Sequence, residues 1–179
     1  MSINDKGIVE TLQECPENGF RMLMMKYQEP VYWHIRRLVV SHDDAQDASQ
    51  ETFVRIYRSF NQYRGDCSLR SWIYRIATNE ALRLISKRKQ EEVSLESEST
   101  GVSLIPADNY IDFDDEVAVK LQKAILSLPP KQQLAFNLRY YDELSFDEIA
   151  RVADSTPTSI KASYHVAKEK IIKYMNSND

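Results

Sequence analysis

Asp47, Gln50 and Glu51 stand at i, i+3 and i+4 of one segment, so on a helix all three side chains project from the same face. Two carboxylates and an amide so placed form an acidic and amide patch, which spacing alone reads as a solvated helix face. A second set, Arg75, Asn79 and Arg83, falls at i, i+4 and i+8, with Trp72 and Tyr74 beside it and Arg64 and Arg70 in or next to the preceding loop. Arginine interleaved with aromatics suits single-stranded nucleic acid, because the guanidinium tracks phosphate while an aromatic or apolar pocket holds an unstacked base. Trp72 carries a core reading as readily as a strand-facing one. A third set, Thr158, Ser159, Lys161, Ala162 and His165, opens the last apolar-periodic segment, where a helix after a short turn would offer them to a major groove.

Nothing in the chain has the pattern of a catalytic or metal centre. A P-loop, GxSxG or HExxH motif is absent, and His34, His42 and His165 are spread over different segments. Cys15 and Cys67 belong to neither a CxxC pair nor a Cys/His cluster, which leaves two free thiols as the expectation. No catalytic residue, metal or cofactor is therefore assigned.

The elements that must carry these residues all read as helices. Phe20, Leu23, Met24 and Tyr27 recur at helical spacing, and Pro30 suits the first turn of a separate helix bearing Val31, Ile35, Leu38 and Val39. Ser41, three residues before Asp44, opens the next helix with Ala45, Ala48, Phe53, Ile56, Tyr57 and Phe60 as its stripe. After a break at 61–68 containing Gly65, Leu69, Trp72, Ile73, Ile76, Ala77, Leu82 and Ile85 form the core face of a fourth. Further on, Val117, Leu121, Ile125 and Leu128 precede a Pro-Pro break and a helix over 131–141. Ser145 and Glu148 have capping-box spacing. Thr156 followed by Pro157 marks the start of a last helix that turns Ile160, Tyr164, Ala167, Ile171 and Tyr174 inward. The pair joined near 153–155 reads as a helix-turn-helix, with a plain helical hairpin as the alternative because the turn lacks glycine.

With 179 residues, 28% charged and only 4 Gly, the composition is that of a helix-rich globular chain with room for one large or two small domains. Residues 19–89 hold 13 basic and 7 acidic groups, a net +6, and 118–179 are +2, whereas 90–117 hold 9 acids and no base. Two basic blocks flank an acidic bridge, which reads as a flexible linker, and the blocks suit a polyanion. No run approaches the length of a membrane span and the N-terminus lacks signal-peptide character, so the cytoplasm is expected, with no membrane insertion.

At DAQDASQETFVRIYRSF, YRGDCSLRSWIYRIATNEALRLISKRK and LPPKQQLAFNLRYYDELSFDEIARVADSTPTSIKASYHVAKEKI, the chain resembles bacterial RNA polymerase sigma factors of the extracytoplasmic-function class. The resemblance implies an all-α fold of two small domains: a segment 1–18, region 2 over 19–89, the acidic linker over 90–117 and a helix-turn-helix region 4 over 118–179. It implies core RNA polymerase as partner, through the clamp helices of its largest subunit and its β flap, together with promoter DNA and an anti-sigma factor. Asp47, Gln50 and Glu51 become polymerase contacts. Tyr63, Arg64, Gly65, Asp66, Ser68, Trp72, Arg75, Asn79 and Arg83 become contacts to the −10 element, and Arg139, Thr158, Ser159, Lys161, Ala162 and His165 contacts to the −35 element. The chain departs from the family at Ser163 and Val166, where many members carry arginine, and at Thr158, where many carry glycine. A classical helix-turn-helix repressor or activator, an enzyme and a helical adaptor are the rival classes. The first leaves the DASQE face and the +6 block unexplained.

Overall fold

The computed structural model describes residues 2–96 and 109–177, and among them the chain forms eight α-helices. In chain order these are α1 (Asp5–Glu14), α2 (Pro16–Val39), α3 (His42–Ser59), α4 (Leu69–Glu96), α5 (Glu116–Leu126), α6 (Pro130–Tyr140), α7 (Phe146–Val152) and α8 (Pro157–Met175), with a 3-10 turn at Phe60–Gln62. Helices α1 to α4 pack as one bundle around Ile8, Leu23, Val31, Ile35, Ile56 and Ile73, all fully buried. A smaller cluster of Ala124, Ile125, Leu128, Phe136, Ala167 and Ile171 ties α5 and α6 to α8.

Two helices differ from the sequence expectation. The segment 16–39 is one continuous helix rather than two, with Pro30 inside it. An interior proline loses a hydrogen bond and costs about 3 kcal/mol. The same helix buries Leu23 and Tyr27 before the proline and Val31, Ile35 and Leu38 after it. At ~1.5–3 kcal/mol per fully buried large side chain, that face outweighs the break. The helix ends at Val40, which takes φ 69° as the C-cap residue, a costly conformation for a β-branched side chain, and turns the chain into α3.

The second difference is α1, which lies in a segment given no element. Asn4 caps it by accepting from Gly7 N at 2.7 Å, and Ile8 and Leu12 are its buried face. It lies across Gly19, where a Cβ would stand 2.4 Å from Leu12 N and 2.5 Å from Leu12 Cα. Asp5 then bridges to Lys26 Nζ and Tyr27 Oη, both at 2.7 Å. Gly19→Ala gains about 0.5–1 kcal/mol of helix propensity, yet the methyl meets backbone, and overpacking of that kind costs ~1–3 kcal/mol. The variant is expected to melt lower and to lose its first 15 residues faster to limited proteolysis; equal protection would refute the close-crossing argument.

The acidic bridge is partly structured at its ends. Residues 90–96 continue α4, and Asp115 caps α5 by accepting from Val117 N and Ala118 N at 3.0 and 3.2 Å. The middle of the bridge, 97–108, lies outside the described residues. Four side chains expected inside face outward: Tyr57, Leu82, Val117 and Tyr174. The Tyr57 ring is set edge-on to Phe20 at 5.1 Å.

The two helical units also share a core. Leu134, Ala135, Leu138, Leu144, Ile149, Ala150, Val152 and Ile160 belong to the same buried cluster as Leu69, Ile73 and Ala77 of α4. Tyr74 and Arg70 of α4 and His34 and Arg37 of α2 face α7 and the turn before it. Among the described residues, no helix is long and apolar enough to cross a membrane.

Candidate nucleic-acid and partner interfaces

Helix α3 buries Ala45, Ala48, Thr52, Phe53 and Ile56, and the helical period then leaves Asp47, Gln50 and Glu51 exposed on the far side. Ser41 caps it by accepting from Asp44 N at 3.4 Å. Glu51 lies 3.4 Å from Arg55 Nε, and Arg55 continues to the carboxylate of Glu80, buried on α4, which also holds Arg83. Arg83 thus sits in an ionic chain that reaches the acidic face of α3, whereas Arg75 and Asn79 stand exposed on α4.

Beside this face runs a groove of about 1250 Å³ between α2 and α3, lined by Phe20, Met24, Tyr32, Gln50 and Phe53 among others. Three of its residues are exposed apolar side chains: Met25 at 72%, Val54 at 40% and Tyr57 at 48%. Sequence reasoning missed this groove. The signal available was Met25 and Val54, apolar residues at outward positions of helices whose inward faces were already complete.

The loop over 63–68 is built by its own hydrogen bonds. Tyr63 Oη donates to the carbonyl of Cys67 at 2.7 Å, Gly65 turns the chain at φ 79°, and Ser68 Oγ accepts from Ser71 N at 3.1 Å to start α4. Arg64, Gly65, Asp66 and Ser68 are exposed. Trp72 is half-buried with its ring 5.4 Å from that of Tyr63, so it serves both the core and the loop. Tyr63, Asp66, Trp72 and Arg75 line one wall of a cleft of about 720 Å³, whose other wall carries Asp147, Arg151, Asp154 and Pro157.

In the second unit Ser145 and Glu148 form the reciprocal capping box at 3.1 and 2.9 Å. The turn to α8 has no glycine; Asp154 takes the left-handed conformation at φ 51°, which short polar residues tolerate better than most. Thr156 caps α8 by accepting from Ser159 N at 3.2 Å, with Pro157 following. Thr158, Lys161, Ala162 and His165 are exposed, while Ser159 is half-buried and accepts from Lys131 Nζ at 2.8 Å. Arg139 donates to the carbonyl of Leu144 at 3.1 Å and lies 4.7 Å over the Phe146 ring, so it braces the turn before α7.

Between the units lies a polar group that the sequence did not announce. His34 Nε2 is 2.8 Å from Thr78 Oγ1, and its Nδ1 is 3.7 Å from Asp142 Oδ2, which is also 3.7 Å from Arg37 Nη1. Tyr74 Oη donates to the other oxygen of Asp142 at 2.9 Å. Burial, aided by Arg37, drives the His34 pKa down to about 3, and burial pushes the Asp142 carboxyl up to about 6 against the pull of Tyr74, Arg37 and Arg70. Unfolding releases His34 to 6.5, so its contribution is lost as pH falls below that value. Asp142 has the opposite sign, because the folded carboxyl binds a proton more readily than the unfolded one at 3.8. Between pH 6 and 4 the two act against each other. Asp142→Asn removes the compensation, and its stability should then fall more steeply than the parent's as pH drops over that range. Urea denaturation of both proteins at pH 6, 5 and 4 checks this; parallel profiles would refute it.

Residues 23–91 match the model of Sigma-70 region 2, and residues 118–171 that of Sigma-70, region 4. The chain is 28% identical over 178 residues to the RNA polymerase sigma-H factor of Pseudomonas aeruginosa, covering 94% of this chain and 92% of that protein. It is 29% identical over 178 residues to the ECF RNA polymerase sigma-E factor of Escherichia coli K12, covering 94% and 93%. Among solved structures, CnrH in complex with the cytosolic domain of CnrY has a TM-score of 0.75 at 15% identity over 98% of this chain and 99% of that one. The sigma factor RpoE of Bartonella quintana, in complex with the anti-sigma factor NepR, gives 0.72 at 19% over 89% and 98%.

Proposed function

The chain belongs to the extracytoplasmic-function class of the sigma-70 family and directs core RNA polymerase to promoters, and from that premise we propose which of its surfaces meet the polymerase and which meet the DNA. It contributes recognition rather than catalysis, which belongs to the polymerase.

Asp47, Gln50 and Glu51, with the groove edged by Met25, Val54 and Tyr57, dock the clamp helices. The observation that carries this is the adjacency of an acidic and amide face to exposed apolar side chains, the mixed chemistry of a protein interface with desolvated anchors and a polar rim. The loop from Tyr63 to Ser68, with Trp72, Arg75 and Asn79, takes the non-template strand of the −10 element: the self-braced loop leaves its backbone tip open, and the Tyr63 and Trp72 rings supply a stacking wall. Arg83 acts there only after release from Glu80.

In region 4, Thr158, Lys161, Ala162 and His165 read the −35 element in the major groove, and Ser159 and Arg139 set the helix and the turn that present them. Phe113 and Tyr174, exposed around Lys120 and Lys123 at the α5 and α8 ends, suit the β flap. An anti-sigma factor is a further partner of this reading, supported by solved neighbours bound to the anti-sigma factor NepR or to the cytosolic domain of CnrY.

Reconstitution with core enzyme tests the whole assignment: promoter-dependent transcription should appear only with both components. Lys161→Ala should weaken holoenzyme binding at the −35 element and lower the salt slope by about one unit, the signature of one lost phosphate contact. Gel shifts over a salt series measure it, and an unchanged slope would remove Lys161 from the contact set.

A further inference from the structure

The last turn of α2 carries two arginines that the assignments to polymerase and promoter leave unused. Arg36 is only 7% exposed, yet its side chain has no ion pair or hydrogen bond among the described residues. Arg37 stacks on the Tyr141 ring at 4.1 Å. Its Nη1, buried and without a hydrogen bond among the described residues, stands 3.7 Å from Asp142 Oδ2. Cations at a helix C-terminus interact favourably with the helix dipole, which accounts for two arginines in this turn. It does not account for their burial, since a buried charge is ordinarily paired.

Both arginines line a cavity of about 460 Å³, bounded by the end of α2, by α5 and α6 and by residues 109–112. Trp33, Asn137, Tyr140 and Tyr141 line it as well. Asn137 is fully buried, and neither its Nδ2 nor its Oδ1 has a hydrogen-bond partner among the described residues. By contrast, the carboxamide of Gln122 in the same wall is taken up by both backbone groups of Ile111. Buried carboxamides are nearly always satisfied, so the spare donor and acceptor of Asn137 are groups for a ligand. Asp112 is the one acid among the described lining residues, against the two arginines.

These groups converge on one ligand chemistry. A guanidinium fork is suited to holding a phosphate. The rings of Trp33 and of Tyr140, the latter 54% exposed with Phe136 stacked on it, suit a flat heteroaromatic base. An asparagine carboxamide pairs with N6 and N7 of adenine. The volume lies within the range of small-ligand sites and exceeds what a free phosphate would fill. We propose that this cavity binds an adenine mononucleotide, with Arg36 and Arg37 on the phosphate, Asn137 on the edge of the base, and Trp33 and Tyr140 on its face. None of the residues assigned to polymerase or promoter lines the cavity, so the inference stands apart from those assignments. Because the wall is drawn from α2 on one side and α5 and α6 on the other, the bound nucleotide stabilises the folded chain by mass action.

The test uses the full chain and AMP. Titration should quench tryptophan fluorescence saturably, and Trp33→Phe should remove that response although Trp72 remains. By isothermal titration calorimetry AMP should bind at least about tenfold tighter than adenosine, which lacks the anion, or inorganic phosphate, which lacks the base. Arg36→Gln should weaken AMP binding by about tenfold or more. Asn137→Leu, which exchanges a buried amide for an apolar side chain of similar volume, should erase the preference for AMP over UMP. Tyr140→Ala, at an exposed position where the fold should tolerate it, should weaken AMP by about threefold or more. Absence of binding at about 1 mM AMP would overturn the site. Equal affinity for inorganic phosphate would overturn the nucleotide, and equal affinity for adenosine would overturn the arginine anchor. Full AMP affinity in folded Arg36→Gln and Tyr140→Ala variants would overturn the location.

Discussion

Reversing Asp47 and Glu51 to lysine together will weaken the complex with core polymerase by about 100-fold or more. Two isolated surface ion pairs would account for little, since exposed pairs contribute ~0–1 kcal/mol each. Here the carboxylates border a groove whose Met25, Val54 and Tyr57 are exposed in the free chain. Burying those side chains against a partner desolvates the acids beside them, and disrupting a desolvated, hydrogen-bonded charge pair costs ~2–5 kcal/mol. The fold should tolerate the change. Asp47 and Glu51 are exposed, and the i, i+4 pair of Glu51 with Arg55 contributes only about 0.3–0.5 kcal/mol to the helix. Titration of labelled protein with core enzyme, alongside far-UV circular dichroism, measures the effect. Val54→Glu should act in the same direction through the groove alone. Full affinity in a folded double variant would remove this face from the interface.

Tyr63→Ala combined with Trp72→Phe will slow promoter opening by about 10- to 100-fold while leaving the affinity for core polymerase within about twofold. Stacking or pocket capture contributes ~1–3 kcal/mol per base, comparable with the cost of unstacking it. Tyr63 supplies the first ring and, through its hydroxyl on the Cys67 carbonyl, the closure of the loop; removing it opens both. Phenylalanine at position 72 keeps the aromatic fill of the core that alanine would lose. Permanganate reactivity of unpaired thymines reads the opening step. Opening at the parental rate would show that the strand is captured elsewhere. Changes at Asp66 and Ser68, both exposed, should alter base preference rather than rate.

What could be read in advance was chemistry acting within about four residues. The capping box of Ser145 and Glu148, the Thr156 cap before Pro157, the start of α3 at Ser41 and the shared face of Asp47, Gln50 and Glu51 all follow from helical period and from amide groups that need partners at helix ends. The family resemblance rested on such local blocks, and for that reason the order of the two regions was legible while the contacts between them were not.

Tertiary packing decided the rest. Local rules broke the chain at Pro30, but burial on both sides of it kept α2 whole. They gave no element to residues 1–18, where α1 exists because Gly19 lets it cross α2 at backbone distance. Arg83 read as a free strand contact and is held by Glu80; Val117 and Tyr174 read as core and face outward. The pairing of Arg70 with Glu148 spans 78 residues, and that of Tyr74 with Asp142 spans 68. Partners so distant leave no periodicity in the chain. Which arginine meets which carboxylate depends on how whole helices pack, and burial then sets their charge, driving His34 and Asp142 in opposite directions only once the two units have closed around them.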